Sequence, residues 1–180
     1  QQLDDDSIRQ SVTDQPAERL PEGDLLVQVD WSSVNYKDAL AATGHPGVVR
    51  NFPHVPGIDA VGTVLESSDP DLPTGSQVVV TGHDMGSGRW GGWCELIRVP
   101  ASWAVLLPAS LSARESMELG TAGFTAAQCI QALELNDVLP GSGPIAVTGA
   151  SGGVGSLAIR MLAGLGYEVI AVSRKVEMSE

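Results

Sequence analysis

The sequence is poor in cysteine, in aromatic residues and in cations. Its two cysteines, Cys94 and Cys129, exclude a framework of several disulfides and are typical of a reducing compartment. Only ten of the 180 residues are Lys or Arg, against 22 Asp and Glu, and the formal net charge is −12. Such a chain lacks the basic surface that binds nucleic acid or an anionic membrane. No apolar run is long enough to cross a bilayer, so we predict a cytoplasmic protein with neither partner.

The most informative glycines fall in the segment 145–175. An apolar run, Ile145–Val147, predicts a fully buried parallel strand. Four glycines form the turn that follows: Gly149, Gly152, Gly153 and Gly155. Apolar residues then recur at intervals of three and four, on one predicted helical face: Val154, Leu157, Met161 and Leu165. Gly166 is placed to end this helix in a left-handed cap, and Tyr167–Val172 predicts a second strand, which completes a right-handed βαβ unit.

The turn is typical of a diphosphate site. Backbone N–H groups and the positive end of the helix dipole hold a diphosphate at a helix N-terminus, and side chains there would keep it away. Gly152 and Gly153 therefore suit close approach, and we expect Ser151 and Val154 to flank the ligand. The spacing is G-x-x-G-x-x-G instead of the common G-x-G-x-x-G, and an ordinary tight turn is the alternative.

The residues after the second strand favour one cofactor. NAD enzymes usually place an acid there to hold the ribose 2′-hydroxyl. This chain has Ser173, Arg174 and Lys175, and its next acid is Glu177. A hydroxyl and two cations suit a 2′-phosphate, which a carboxylate would repel. We therefore predict NADPH as cofactor, with a solvated basic strand end as the alternative.

The first hundred residues are rich in strands and turns. In the first strand Leu25, Val27, Val29 and Trp31 alternate with a set that is polar except for its first member, as in a half-buried strand; that set is Leu26, Gln28, Asp30 and Ser32. Four further strands are predicted: Gly57–Leu65, with a bend or bulge at Gly62, Gln77–Thr81, Trp93–Val99 and Val105–Leu107. Short strands between Gly/Pro turns indicate a barrel or sandwich.

The periodicity changes at Ser112. Ser112 and Glu115 have the spacing of a capping box at a helix start. Four residues then fall on one predicted helical face: Ala122, Ala126, Cys129 and Leu133. The predicted order is a β-rich domain, a helical transition and the start of an α/β domain.

Five segments together resemble a known family. They are Asn35–Asp38, Pro56–Asp59, Gly91–Gly92, Gly120–Ala126 and Thr148–Gly155. In this order they are similar to the medium-chain dehydrogenase/reductase superfamily, in its zinc-free quinone-reductase branch, and within it to the YhdH-type group that includes acryloyl-CoA reductases.

The resemblance implies an α/β protein with two domains. It implies a GroES-like β-barrel over residues 1–118 and the first part of a Rossmann domain over residues 119–180. Family members are nearly twice as long, so the C-terminal half of that Rossmann domain is expected to be absent from this chain. The complete protein is expected to be a homodimer.

The resemblance also bears on zinc. Zinc-dependent members carry a cysteine near the position of Asn35 and a histidine where this chain has Ile58. Isoleucine cannot ligate a metal, and two cysteines cannot supply the four ligands of a structural zinc. We therefore expect no zinc.

The resemblance implies NADPH-dependent reduction of an activated C=C bond, as in acryloyl-CoA or an enone, or of a quinone. Tyr36 is expected to border the nicotinamide and to deliver the proton to the α-carbon, with Lys37 or water as alternatives. Asn35 is expected to donate to substrate or cofactor, and Asp38 to pair with Lys37 or cap the next turn. Two rival functions stay open: a non-catalytic or truncated nucleotide-binding member of the superfamily, and a relative of zinc alcohol dehydrogenases.

Overall fold

The computed structural model describes residues 8–174, and the chain separates into two compact units, Gln1–Gly120 and Thr121–Glu180. The helices are α1 (Tyr36–Ala42), α2 (Ala113–Leu135) and α3 (Gly153–Gly164). The strands are β1 (Leu25–Ser32), β2 (Asp59–Ser67), β3 (Gln77–Thr81), β4 (Leu96–Val99), β5 (Ala104–Leu106), β6 (Ile145–Thr148) and β7 (Val169–Val172). Two 3₁₀ turns occupy Ala17–Arg19 and Ala101–Trp103. Lys175 lies outside the described residues.

The first unit is built on a five-stranded antiparallel sheet. Its strand order is β4-β1-β2-β3-β5, so β1 and β2 are central. One face of the sheet carries the core, whose larger members are Leu25, Val27, Val64, Leu72, Val78, Val80, Met85, Ile97 and Val99. Each such side chain contributes roughly 1.5–3 kcal/mol on burial, so this face holds most of the unit's stability.

The alternation predicted for β1 ends before Trp31. Leu25 and Val27 are buried, but Trp31 is 50% exposed. The register with β2 slips between Val29, which faces Gly62, and Trp31, which faces Val61. This bulge turns the end of β1 away from the core. The irregularity expected at Gly62 is thus present, and the burial predicted for Trp31 was wrong.

Two predicted strands begin later than expected. The N–H groups of Gly57 and Ile58 donate to the Asp38 carboxylate, so β2 begins at Asp59. The N–H groups of Gly92 and Trp93 donate to carbonyls of residues 56–57, and β4 begins at Leu96. In both cases loop contacts use the backbone donors that a ladder would have needed.

The glycine-rich loop 82–92 is held by side chains. The rings of His83 and Trp103 stack with centroids 4.7 Å apart, and the guanidinium of Arg89 lies 5.4 Å from the Trp103 ring. Arg89 also donates to the carbonyl of Glu22, and the Trp90 indole donates to the carbonyl of Pro53 at 2.9 Å. The loop is therefore held near both of its ends, by His83 at the first and by Arg89 and Trp90 at the second.

Helix α2 begins with the predicted capping box. The N–H of Ser112 donates to Glu115 at 2.8 Å, and the N–H of Glu115 donates to the Ser112 hydroxyl at 3.2 Å. This bonding lowers the pKa of Glu115. The predicted helical face was wrong in one position, because Cys129 is exposed and Ile130 is buried beside Ala126.

The second unit contains the predicted βαβ motif. Strands β6 and β7 pair in parallel, from Ile145 opposite Val169 to Thr148 opposite Val172. Helix α3 ends as expected: Gly166 has φ 88°, and the N–H of Tyr167 reaches the Leu162 carbonyl at 3.0 Å. The apolar core of the unit consists of Ile130, Leu162 and Tyr167, with Leu133, Ile145, Val147, Met161 and Val169 packed against it.

Burial in this unit differs from the prediction. The buried face of α3 is Gly155, Ala158 and Leu162, whereas Val154 and Leu165 are exposed. Strand β6 was expected to be fully buried, but its residues are alternately half-buried and exposed. The reason is that the described core covers only the sheet face that carries Ile145 and Val147.

Among residues 8–174 the structure contains no helix that is long and apolar enough to span a membrane.

Candidate functional site

The turn between β6 and α3 places exposed backbone at a helix start. The N–H of Gly152 donates to the Gly149 carbonyl at 2.8 Å, and the N–H of Ala150 donates to the Val172 carbonyl at 3.2 Å. Gly152 is the N-cap, and α3 begins at Gly153. The first N–H groups of an α-helix have no partner within the helix, so they point out of α3 together with its positive dipole end. This geometry can hold a diphosphate.

The space around two glycines separates packing from ligand binding. A Cβ on Gly155 would lie 2.3 Å from the carbonyl oxygen of Gly149, so the close approach of helix and turn requires glycine there. A Cβ on Gly153 would meet only the Ala122 Cβ, at an ordinary 3.5 Å. Packing within this unit therefore does not explain Gly153, whereas a cofactor against the turn would.

The end of β7 lies beside the turn. The hydroxyl oxygens of Ser151 and Ser173 are 3.3 Å apart, although 22 residues separate them. Arg174 follows Ser173 and is exposed. The structure thus brings together Ser151, Ser173 and the glycine turn, as a cofactor site that reads the ribose would need. Lys175, predicted to share this role, is not among the described residues.

A network of buried polar groups lies in the first unit. Asp38 and Asp59 are both 0% exposed. The Nδ2 of Asn35 donates to Oδ2 of Asp59 at 2.8 Å and to the Ser33 hydroxyl oxygen at 2.9 Å. The Ser33 hydroxyl in turn donates to the same Oδ2 at 2.5 Å. The network joins the residues after β1 to the first residue of β2.

Asp38 fixes the start of α1. Its Oδ2 accepts the N–H of Asn35 at 2.7 Å, and its Oδ1 accepts the N–H groups of Gly57 and Ile58 at 3.1 and 2.9 Å. Three backbone donors and the Asn35 amide thus satisfy the buried carboxylate. Of the two roles expected for Asp38, the structure shows the cap and not a pair with Lys37.

Tyr36 is the first residue of α1 and is 81% exposed. Its neighbour Val34 is exposed to the same extent. The Asp38 anchor fixes the backbone on which Tyr36 stands, so the phenol projects from a rigid base. An exposed hydroxyl on such a base can donate a proton to a bound substrate.

The positions of zinc ligands in related enzymes carry other chemistry. Ile58 is 4% exposed and offers no ligand atom, and the Asn35 amide is engaged by Asp59 and Ser33. Within the described part of the chain no three His, Cys, Asp or Glu side chains come together as a metal site would require.

Two ionisable groups of the first unit are perturbed by burial. Burial raises the pKa of the Cys94 thiol to about 11, and the thiol donates to the Leu96 carbonyl at 3.0 Å. Burial also lowers the pKa of His54, whose ring Nε2 lies 3.0 Å from the Gly86 carbonyl oxygen. A nucleophilic cysteine needs a lowered pKa, which Cys94 does not have. A metal site needs further ligands beside the imidazole, and among the described residues none is grouped with His54.

Sequence reasoning gave no role to Ser33, Asp59 and Gly120. Gly120 interrupts α2 with φ 48° and ψ −153°, and a Cβ on it would lie 2.7 Å from Oδ2 of Asp59. One signal for the network was available. An aspartate at the head of an otherwise apolar strand is seldom buried unless it is paired, and Asp59 stands at the head of one.

Comparison with known proteins decides the family. Residues 21–109 match the alcohol dehydrogenase GroES-like domain. The chain is 54% identical over 162 residues to the probable acrylyl-CoA reductase AcuI of Escherichia coli (strain K12). This alignment covers 90% of this chain and 50% of that protein. The chain belongs to the medium-chain dehydrogenase/reductase superfamily. The predicted resemblance, with its GroES-like domain followed by the start of an α/β domain, is confirmed.

Solved structures agree with this assignment. The yhdH oxidoreductase from Salmonella enterica, crystallised with NADP, superposes with a TM-score of 0.94 and 49% identity over 98% of this chain and 54% of that chain. Bacillus subtilis protein yhfP, crystallised with NAD, gives a TM-score of 0.83 and 45% identity over 87% of this chain and 48% of that chain. The chain thus spans about half the length of the relatives it matches.

Proposed function

We propose that the protein is an NADPH-dependent oxidoreductase that reduces an activated C=C bond, as in acryloyl-CoA or an enone, or a quinone, without zinc. The observation that carries the proposal is the start of α3, where packing does not require the glycine at 153 and where Ser173, which Arg174 follows, lies beside Ser151 of the turn. Two relatives support the proposal: one is named a probable acrylyl-CoA reductase, and the other is an oxidoreductase crystallised with NADP.

The chain's own residues divide the work between two domains. Residues 119–180 form the first part of the cofactor domain, in which Ser151, Gly152, Gly153 and Val154 hold the diphosphate. Ser173, Arg174 and Lys175 hold the 2′-phosphate, which favours NADPH over NADH. Residues 1–118 form the catalytic domain, with Tyr36 at the nicotinamide. The bound cofactor supplies hydride for the β-carbon of the substrate.

Tyr36 completes the reduction. Hydride addition leaves negative charge on the carbonyl oxygen and the α-carbon, and a proton must reach that carbon. The Tyr36 hydroxyl delivers it and is reprotonated from water, which yields the saturated product and NADP⁺. Asn35 is tied to Asp59 and Ser33, so its part is to shape this site rather than to donate freely.

Zinc has no place in this scheme. The buried Ile58 and the engaged Asn35 stand where zinc relatives keep ligands. The protein is further proposed to be cytoplasmic, in keeping with two cysteines that form no disulfide, and to act as a homodimer on a small-molecule substrate.

A reductase assay tests the proposal. NADPH oxidation is followed with acryloyl-CoA, an enone and a quinone, using the full-length gene product, and the reduced product is identified by mass. Tyr36→Phe should lower kcat at least tenfold and leave NADPH binding unchanged. The matched control is Tyr167→Phe, which loses the hydrogen bond to Val138 and should lower stability but not kcat. Binding of NADPH without reduction of any of the three acceptors would instead favour a non-catalytic member of the superfamily.

A further inference from the structure

A cavity of about 340 Å³ opens on the first unit, between α1 and the loops 44–58 and 82–92. Lys37 lines it from α1 and Arg50 from the first loop, with Asn51 and Ser87 adding an amide and a hydroxyl. Asp84 is the one acid among the lining residues that the structure describes. The wall therefore offers two cations and several hydrogen-bond donors to a group of the size of a phosphate.

Within the described residues these two cations take no part in holding the fold. Arg98 and Arg114 form ion pairs with Glu66 and Glu118, and Arg89 is held by the Glu22 carbonyl and Trp103. Lys37 and Arg50 make no hydrogen bond or ion pair with any residue in the range 8–174, and neither pairs with Asp84 across the cavity. Two unpaired cations that line one concave site are a candidate for anion binding.

The charge of the chain makes this placement informative. Only ten residues are cationic and the net charge is −12, so most of the surface repels a polyanion. Two of the ten cations meet at this cavity, and Lys37 directly follows Tyr36 on α1. One wall of the cavity thus comes from α1, the helix that also carries the residue proposed to act on the substrate.

We propose that this cavity binds a phosphate of an acyl-CoA substrate, with Arg50 and Lys37 as its charged contacts. The inference rests on the proposed function and narrows it: a CoA thioester carries phosphates far from its reacting carbons, whereas a simple enone or quinone carries none. The cavity therefore selects for the CoA thioester within the proposed substrate class.

The test compares two thioesters that share one acyl group. Acryloyl-CoA carries the phosphates, and acryloyl-N-acetylcysteamine lacks them. In the full-length gene product, Arg50→Gln should raise KM for acryloyl-CoA about fivefold at low salt, and less at high salt, because the contact is solvent-exposed. KM for the truncated thioester and Kd for NADPH should not change, and Arg50→Lys should restore part of the loss. Arg19→Gln, an exposed cation of the same unit bonded to Gln15, is the control and should change none of these values.

Three results would overturn the proposal. One is an equal change, or none, for the two thioesters in Arg50→Gln. Another is weaker NADPH binding in that variant, which would assign the cavity to the cofactor. If neither thioester is reduced, the proposed function fails, and calorimetry with adenosine 3′,5′-bisphosphate decides the cavity alone. Weaker binding of that probe to Arg50→Gln than to the parent supports a phosphate site, and equal binding refutes it.

Discussion

The side-chain amide of Asn35 donates to the buried carboxylate of Asp59 across 24 positions of sequence, at 2.8 Å. The same amide reaches the Ser33 hydroxyl, and the Asn35 backbone N–H is held by Asp38. One asparagine therefore ties the end of β1, the start of α1 and the start of β2. The family resemblance implies a metal ligand near this position in zinc-dependent members, whereas in this chain Asn35 makes hydrogen bonds.

Loss of this amide should destabilise the first unit. Asn35→Ala removes donors to buried acceptors and is expected to lower the free energy of unfolding by about 2 kcal/mol. Asn35→Asp should cost more, because it sets a third carboxylate against Asp38 and Asp59, and the difference between the two variants should shrink in acid as carboxylates are protonated. Urea unfolding measures both, with the exposed Asn51→Ala as control. Equal stability of Asn35→Asp and the parent would contradict this account.

The preference for NADPH should depend on Arg174. A charge-assisted contact to the 2′-phosphate is worth about 1.5–3 kcal/mol, so Arg174→Ala should weaken NADPH binding about tenfold or more. NADH binding should hardly change, because NADH lacks that phosphate. Both dissociation constants are measured by fluorescence titration, with Arg160→Ala on α3 as the control cation. Equal affinity of the parent protein for NADPH and NADH would refute the preference.

The two glycines of the α3 turn should respond differently to substitution. Gly153→Val should keep the fold, because its Cβ would make only an ordinary contact with Ala122. It should lose nucleotide binding, because the added side chain would occupy the space of the diphosphate. Gly155→Ala should lose stability, because its Cβ would collide with the Gly149 carbonyl. Thermal melts with and without NADPH separate these effects, because a ligand that binds only the native state raises the melting temperature. A folded Gly153→Val that keeps the full NADPH-induced shift would show that the diphosphate lies elsewhere.

Metal analysis tests the zinc-free assignment. Because Ile58 has no ligand atom and Asn35 is engaged, elemental analysis of the purified protein should find no stoichiometric zinc, and chelators should leave reductase activity intact. A zinc alcohol dehydrogenase treated in parallel should lose its activity. One tightly held zinc per chain would contradict the zinc-free assignment and favour the zinc-dependent branch instead.

The two cysteines should differ in reactivity. The pKa of Cys94 is about 11, so at pH 8 about a thousandth of it is thiolate, whereas Cys129 is exposed. A disulfide reagent at pH 8 should therefore modify Cys129 quickly and Cys94 slowly, and the rate at Cys94 should keep rising with pH through 10. Cys129→Ser should remove the fast phase and Cys94→Ser the slow one. A fast reaction in Cys129→Ser at pH 8 would contradict the raised pKa.

Local signals in the sequence predicted the elements well. The capping box at Ser112, the left-handed cap at Gly166 and the parallel pair β6 and β7 all depend on residues close together in the chain. Burial depends on what packs against an element. Period alone therefore placed Cys129 and Val154 on buried faces, where the structure has Ile130 and Gly155.

The glycine turn before α3 and the polar network differ in the same way. The turn is contiguous, so its glycines showed in the sequence. The network joins Ser33, Asn35 and Asp59 only after β1 and β2 pair, and its one signal in the sequence is Asp59 at the head of an apolar strand, which does not identify the partners. The delayed starts of β2 and β4 have the same origin, since loop carbonyls and the Asp38 carboxylate take the donors that strand pairing would use.

The side-chain contacts that hold loop 82–92 should make it resistant to proteolysis. By composition this loop should be the first place to be cut, and Arg89 offers trypsin a cleavage point. A protease can cleave the loop only after local unfolding. Here local unfolding must break the stacking of His83 on Trp103 and the contact of Arg89 with the same ring. The contacts with Trp103 therefore protect from proteolysis a loop whose composition resembles that of a flexible linker.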